Sequence, residues 1–206
     1  MIEVAEKIRV RRLGLLQYET ALGKMRAFTS QRDADTPDEI WLLEHPPVYT
    51  LGVAAKAAHG PKSANGIPVV KVERGGEITY HGPGQVVLYT LVDLARRGIK
   101  VKQFVALLEQ SVIELLGGGA GRIPGAPGVY VGGAKVAALG IRVSRGCAFH
   151  GLALNVDMDL APFAAIDPCG MPGLRVTQTR DLGFDFCTEI AGQNLAEILI
   201  RNLEHA

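Results

Sequence analysis

Three segments of this chain carry residue types that could do chemistry. In Ile166-Asp167-Pro168-Cys169-Gly170-Met171-Pro172-Gly173 a cysteine stands between proline and glycine, in a run too turn-rich for regular structure. A tight turn there can present the sulfur together with free backbone N–H groups, the arrangement that stabilises an oxyanion. A free cysteine is more often a small buried hydrophobe. Cys187, in the strand-like run Phe184–Ile190, fits that default, and Cys147, beside a turn, fits it less cleanly without any sign of reactivity. Of the three, Cys169 has the surroundings of a nucleophile.

The second segment is Arg74-Gly75-Gly76-Glu77-Ile78-Thr79-Tyr80-His81-Gly82-Pro83-Gly84-Gln85. Any one of its glycines reads as part of a tight turn. Taken together, four glycines and a proline around one Arg and one His, at the mouth of an apolar strand, are typical of a binding site. The P-loop spacing Gly-x-x-x-x-Gly-Lys-Ser/Thr is absent, so phosphate cradling is not its task.

The third is a hairpin. Strict alternation puts Lys135 on one face with Ala137, Leu139, Ile141 and Val143, and His150 on one face with Ala148, Leu152, Leu154 and Val156. A lysine at a strand end commonly snorkels its ammonium into water. A partly desolvated amine would instead have a lowered pKa and could accept a proton near neutrality. His150 reads equally well as a satisfied core histidine or as a pocket residue.

The elements that must position these residues follow from periodicity. Lys7–Leu13 alternates as a strand, and Leu15 to Ser30 has helical spacing. Ile40–Glu44 and Val48–Leu51 are short strands parted by Pro46-Pro47. Val53–Gly66 reads as a loop and Val69–Val72 as a strand. Val86–Val92 is apolar at both parities, as a central strand covered on both faces should be. Val101–Leu116 is the clearest helix, Gly118–Gly128 reads as a loop, Ala134–Val143 and Ala148–Val156 form the hairpin, and Ile190–Leu203 is a second amphipathic helix. Strands in groups with few helices between them predict an α+β fold with a mixed, largely antiparallel sheet flanked by helices.

Composition bounds the rest. The 206 residues suit one domain over 1–206, and a formal charge of +1 offers no basic surface for nucleic acid. Glu3, Glu6 and Lys7 interrupt the first ten residues, and the most apolar run is far too short for a bilayer. An odd cysteine count without Cys-x-x-Cys predicts reduced thiols and a cytoplasmic setting. His45, His59, His81, His150 and His205 are scattered without ligand spacing, so neither a metal nor a cofactor is expected.

These segments together resemble the octanoyl-carrier-protein-dependent protein octanoyltransferases of lipoate biosynthesis. The likeness runs through Trp41-Leu42-Leu43-Glu44-His45-Pro46-Pro47-Val48-Tyr49-Thr50-Leu51-Gly52, Arg74–Gln85, Gly128–Ile141, His150–Asn155 and Ile166–Gly170, in that order and with no departure at a motif position. The resemblance implies the fold of biotin and lipoate protein ligases. It implies that Cys169 takes the acyl group and Lys135 assists. Arg74, Gly75, Gly76, Glu77, Ile78, Thr79, Tyr80 and His81 would line the acyl pocket with Ala138, Leu139, Gly140, Gly151, Leu152 and Ala153. His150 is placed there too, and the small Ala137, Ala138, Gly140, Gly151 and Ala153 leave room for a narrow slot. The implied donor is octanoyl-acyl carrier protein. The implied acceptors are lipoyl domains of 2-oxoacid dehydrogenases and the glycine cleavage H protein. An ATP-dependent lipoate or biotin ligase, or a non-catalytic module binding acylated carriers, are the alternatives.

Overall fold

The computed structural model describes residues 8–55, 61, 66–167, 171 and 173–206. Ten strands and three helices are defined in chain order: β1 (Arg9–Leu15), α1 (Tyr18–Gln31), β2 (Glu39–Glu44), β3 (Val48–Leu51), β4 (Val69–Lys71), β5 (Ile78–His81), β6 (Gln85–Asp93), α2 (Val101–Leu116), β7 (Ala120–Ile123), β8 (Ala126–Val131), β9 (Ala134–Ser144), β10 (Cys147–Asn155) and α3 (Thr188–Glu204). Seven strands make one sheet in the order β1-β2-β6-β10-β9-β8-β7, and β4-β3-β5 make a second. The β1–β2 and β3–β4 pairs are parallel and every other pair is antiparallel. The expected mixed, largely antiparallel α+β architecture is what forms.

β6 is central, and its two parities explain the layering. Val86, Leu88 and Val92 face a core closed by α2 and α3. Val87, Tyr89 and Leu91 face a second core closed by Tyr18, Ala21, Leu22 and Met25 of α1. A strand apolar on both parities needs cover on both faces, and here it has it. The stripe Phe104, Leu108, Val112 and Leu116 turns α2 inward. A third cluster, with Tyr49, Ile78, Tyr80 and Phe163, fills the space between the small sheet and the short 3-10 turn Ala161–Ala165.

Several expectations are corrected. Within Arg74–Gln85, Ile78–His81 pairs with β3 as β5, a strand that the sequence reading did not single out. Gly118–Gly128 is not a loop: it supplies β7 and the start of β8, because β9 offers a partner edge that composition does not reveal. Phe184–Ile190 is not strand-like. The helix already begins at Thr188, and Cys187 is its exposed N-cap residue rather than a buried hydrophobe. Cys147 is buried, and that burial pushes its thiol pKa up. Of the expected loop Val53–Gly66, residues 56–60 and 62–65 lie outside the described residues.

Candidate active site

Strand alternation breaks at both residues on which the hairpin reading turned. Val129 pairs with Ala137 but Tyr130 pairs with Lys135, so Val136 is an extra residue on β9. Such a bulge shifts parity beyond it. Lys135 is therefore parted from the face of Ala137 and Ile141, which belong to the α2/α3 core. It lines a cavity on the α1 face instead. His150 has φ +62°, in the left-handed region. Its ring stacks on Phe149 at 5.0 Å and meets Tyr89 edge-on at 6.1 Å, both in the α1 core. The expected shared faces are wrong at both positions, since a bulge and a positive φ each reset a two-residue period.

That cavity is a narrow slot of about 60 Å³. Arg74, Gly76, Glu77, Ile78, Thr79 and His81 form one wall. Ala138, Leu139 and Gly140 of β9, with His150, Gly151, Leu152 and Ala153 of β10, form another. Three residues expected in the lining are elsewhere. Gly75 is tied to β9 by its N–H on Ile141 O at 2.9 Å. Tyr80 packs against Tyr49 and Phe163 in the third core, and Ala137 faces the α2/α3 core. Tyr18, Val87, Tyr89, Asn155, Phe163 and Val176 also line the cavity, and the sequence reading missed them. Tyrosine inside an apolar strand and Asn at the end of another were the available signals.

Lys135 is 4% exposed. Its Nζ donates to Pro127 O at 2.9 Å and lies 5.3 Å from the Tyr130 ring centroid. The carbonyl it uses is fixed from α2: the Glu109 carboxylate accepts the Gly128 N–H at 3.0 Å and Arg122 Nε at 2.9 Å. Gly128, at φ +139°, lets the lysine stem pass. A Cβ there would stand 2.7 Å from Lys135 Cε and from Ala137 O.

Cys169, with Pro168, Gly170 and Pro172, lies outside the described residues. Its flanks are anchored around the cavity. Upstream, Phe163 lines the cavity and Ile166 is buried in the third core. Downstream, Lys135 N–H donates to Arg175 O at 2.8 Å and Thr177 N–H donates to Lys135 O at 2.9 Å, while Val176 lines the cavity.

A directional hydrogen-bond chain joins the Arg74 wall to that downstream segment. Arg74 donates to Thr50 Oγ1 at 2.8 Å, and Thr50 Oγ1 lies 3.5 Å from His81 Nε2. His81 Nδ1 is 2.7 Å from Gln85 Oε1, Gln85 Nε2 donates to Asn155 Oδ1 at 3.0 Å, and Asn155 Nδ2 donates to Thr177 O at 2.9 Å. The carbonyl at the end sets each amide, so His81 carries its proton on Nδ1. Burial, reinforced by His45 and opposed by the Gln85 bond, lowers the His81 pKa to about 3. His45 is likewise lowered by burial to about 4, held between Leu16 O at 2.6 Å and Tyr89 Oη at 2.7 Å. Burial pushes Tyr18 up to about 12. The α1 side of the cavity thus offers neutral imidazoles and phenols, suited to an uncharged ligand. Among the described residues no group of three or more His, Cys, Asp or Glu could hold a metal ion.

Residues 17–200 match the family model for the lipoyl protein ligase A/B catalytic domain. An octanoyltransferase of Thiobacillus denitrificans is 58% identical, over 97% of this chain and 93% of the relative. One from Dechloromonas aromatica is 55% identical, over 95% and 96%. Among solved structures, a putative lipoate protein ligase from T. acidophilum with bound lipoic acid superposes with TM-score 0.77 at 16% identity, covering 96% of this chain and 86% of that one. Biotin protein ligase from Aquifex aeolicus superposes with TM-score 0.61 at 13% identity, covering 95% and 70%. At these identities the structural likeness speaks for the fold.

Proposed function

The chain belongs to the lipoyl protein ligase A/B catalytic-domain family, and on that premise we propose that it passes an octanoyl group from acyl carrier protein, through a thioester on Cys169, to a lysine of a lipoyl domain. Octanoyl transfer in protein lipoylation rests on one observation, the end-to-end likeness to octanoyltransferases. The cavity supports it: a largely apolar slot takes an acyl chain, and a buried lysine stands at its edge.

Lys135 accepts the thiol proton of Cys169. The thiolate adds to the thioester carbonyl of the donor, the carrier's sulfur leaves and takes a proton from the Lys135 ammonium, and an acyl-Cys169 thioester remains. The acceptor lysine's amine then adds to that carbonyl, its proton passes to Lys135, and the Cys169 thiolate departs as the amide forms. Exchange between thioesters is nearly balanced and amide formation from a thioester runs downhill, so no nucleotide is consumed. The acceptors are the lipoyl domains of 2-oxoacid dehydrogenases and the glycine cleavage H protein, and the setting is the cytoplasm, in keeping with reduced thiols.

Intact-mass spectrometry after exposure to octanoyl carrier protein, without ATP, tests the scheme. The wild type gains one octanoyl mass and Cys169→Ala gains none. Amide formation that needs ATP would assign the chain to the ligases instead, and wild-type transfer by Cys169→Ala would overturn the covalent route.

A further inference from the structure

Only Arg145 and His150 among the described non-glycine residues have positive φ. His tolerates that region better than most residues, yet the conformation still carries strain, which persists where surroundings enforce it. At φ +62° the ring leaves the apolar face that alternation would give it and turns into the acyl cavity. The residue is 1% exposed, and neither Nδ1 nor Nε2 has a hydrogen-bond partner among the described residues. Its ring neighbours, Phe149 and Tyr89, meet it through their aromatic faces and edges. Burial, with Arg74 and Arg26 adding and Glu73 opposing, lowers its pKa to about 4, so near neutrality it offers one donor and one acceptor. Buried polar atoms are rarely left unmatched. The ring lines the cavity, so what occupies the cavity can match them.

The register says where they sit along it. Leu154 pairs with Ala137, Ala153 with Ala138, Gly151 with Gly140 and His150 with Ile141. Lys135 stands beyond Ala137 at one end, and His150 stands at the other. The stretch of β9 from Lys135 to Gly140 spans roughly 16 Å at the usual strand rise. An acyl chain with its carbonyl beside Lys135 therefore points its tail at the imidazole.

We propose that His150 is a polar stop that sets the acyl-chain length, a reading that rests on the transferase function above. A purely apolar slot favours a longer chain, by roughly fourfold per buried methylene. A tail that ends short of His150 leaves both nitrogens hydrated. A tail that reaches it expels that water and strands them, at a cost of roughly 5- to 150-fold for each nitrogen. The second effect outweighs the first over one or two methylenes and turns the preference toward the shorter chain.

Near-isosteric donors separate length from polarity. Carrier proteins bearing octanoyl, nonanoyl, 8-hydroxyoctanoyl and decanoyl thioesters are compared by kcat/KM for amide formation on a lipoyl domain. The wild type is expected to use 8-hydroxyoctanoyl at least fivefold better than nonanoyl, because the hydroxyl replaces the water on the imidazole. His150→Leu is expected to reverse that order and to raise the decanoyl-to-octanoyl ratio about tenfold. His150→Asn, compatible with the left-handed backbone, should keep the wild-type order. The wild-type pair decides the matter even where the leucine variant does not fold. Nonanoyl preferred over 8-hydroxyoctanoyl by the wild type, or unchanged ratios in a folded His150→Leu, overturns the polar stop and leaves the transferase reading standing. No amide from any donor overturns both.

Discussion

At the scale of single residues, Lys135 is held by its stem and by its head. The stem crosses Gly128 and the amine rests on Pro127 O, in a backbone stretch that Glu109 pins from α2. Lys135→Met should lower kcat by roughly 10²–10⁴, the usual contribution of a positioned acid–base group, with acyl-enzyme formation slowed in single-turnover mass measurements. Gly128→Ala should act on the same group without touching it. The added Cβ has no room at 2.7 Å from Lys135 Cε, so kcat should fall by roughly 10² while KM for the donor changes little. An unaltered kcat in a folded Gly128→Ala would mean that the amine's placement is not critical. The wall that carries Arg74, Ile78 and His81 was legible from its glycine-rich setting. The face that Lys135 takes was not, because nothing in the string of residues 134–144 announces a bulge at Val136.

At the scale of elements, the least foreseen feature is the carboxylate of Asp38, at the entrance to β2. It is 1% exposed and accepts from Arg32 at 2.7 Å, Arg96 at 3.0 Å, Arg97 at 2.6 Å and the Asp93 N–H at 2.8 Å. Burial alone would raise its pKa, but the bonds from Arg32, Asp93 and Arg97 outweigh burial and hold it below the usual carboxylate range. These contacts tie the end of α1 and the turn after β6 to the start of β2, which fixes α1 over the cavity. Removing one partner of a buried ion pair strands the others. Asp38→Ala should therefore lose about 3–5 kcal/mol in urea unfolding. A loss under about 1 kcal/mol would show the network to be solvated rather than structural. Each of these residues looks like an ordinary surface charge in the sequence, since their meeting depends on strand order.

At the scale of the whole molecule, three neutral imidazoles are buried, His81 and His150 in the cavity lining and His45 packed against His81. The pKa of His45 and His150 falls to about 4 and that of His81 to about 3, against an ordinary value near 6.5. Below 6.5 the unfolded chain binds protons that the folded chain refuses. The stability these groups contribute is therefore complete above pH 6.5 and is lost as pH falls toward 4 and 3. By pH 5 the loss should be roughly 2 kcal/mol for each histidine. The lowered carboxylates of Asp38 and Glu73 act in the same direction. Urea midpoints should be flat between pH 7 and 8 and decline steadily below 6.5. A midpoint that holds to pH 4.5 would show that the imidazoles charge freely in the folded state.

The sequence by itself determined the residue types of the site, the α+β class, the central strand Gln85–Asp93 and the helix Val101–Leu116, because each depends on a local pattern or a contiguous motif. Only the tertiary structure decided which way Lys135 and His150 face, that Gly118–Gly128 supplies strand, and that His81 and His150 line one cavity with His45 packed against His81. The physical reason is that side-chain direction in a sheet is counted along an unbroken ladder. One extra residue or one positive φ changes the count, and whether either occurs is settled by the partner strand and the packing above it.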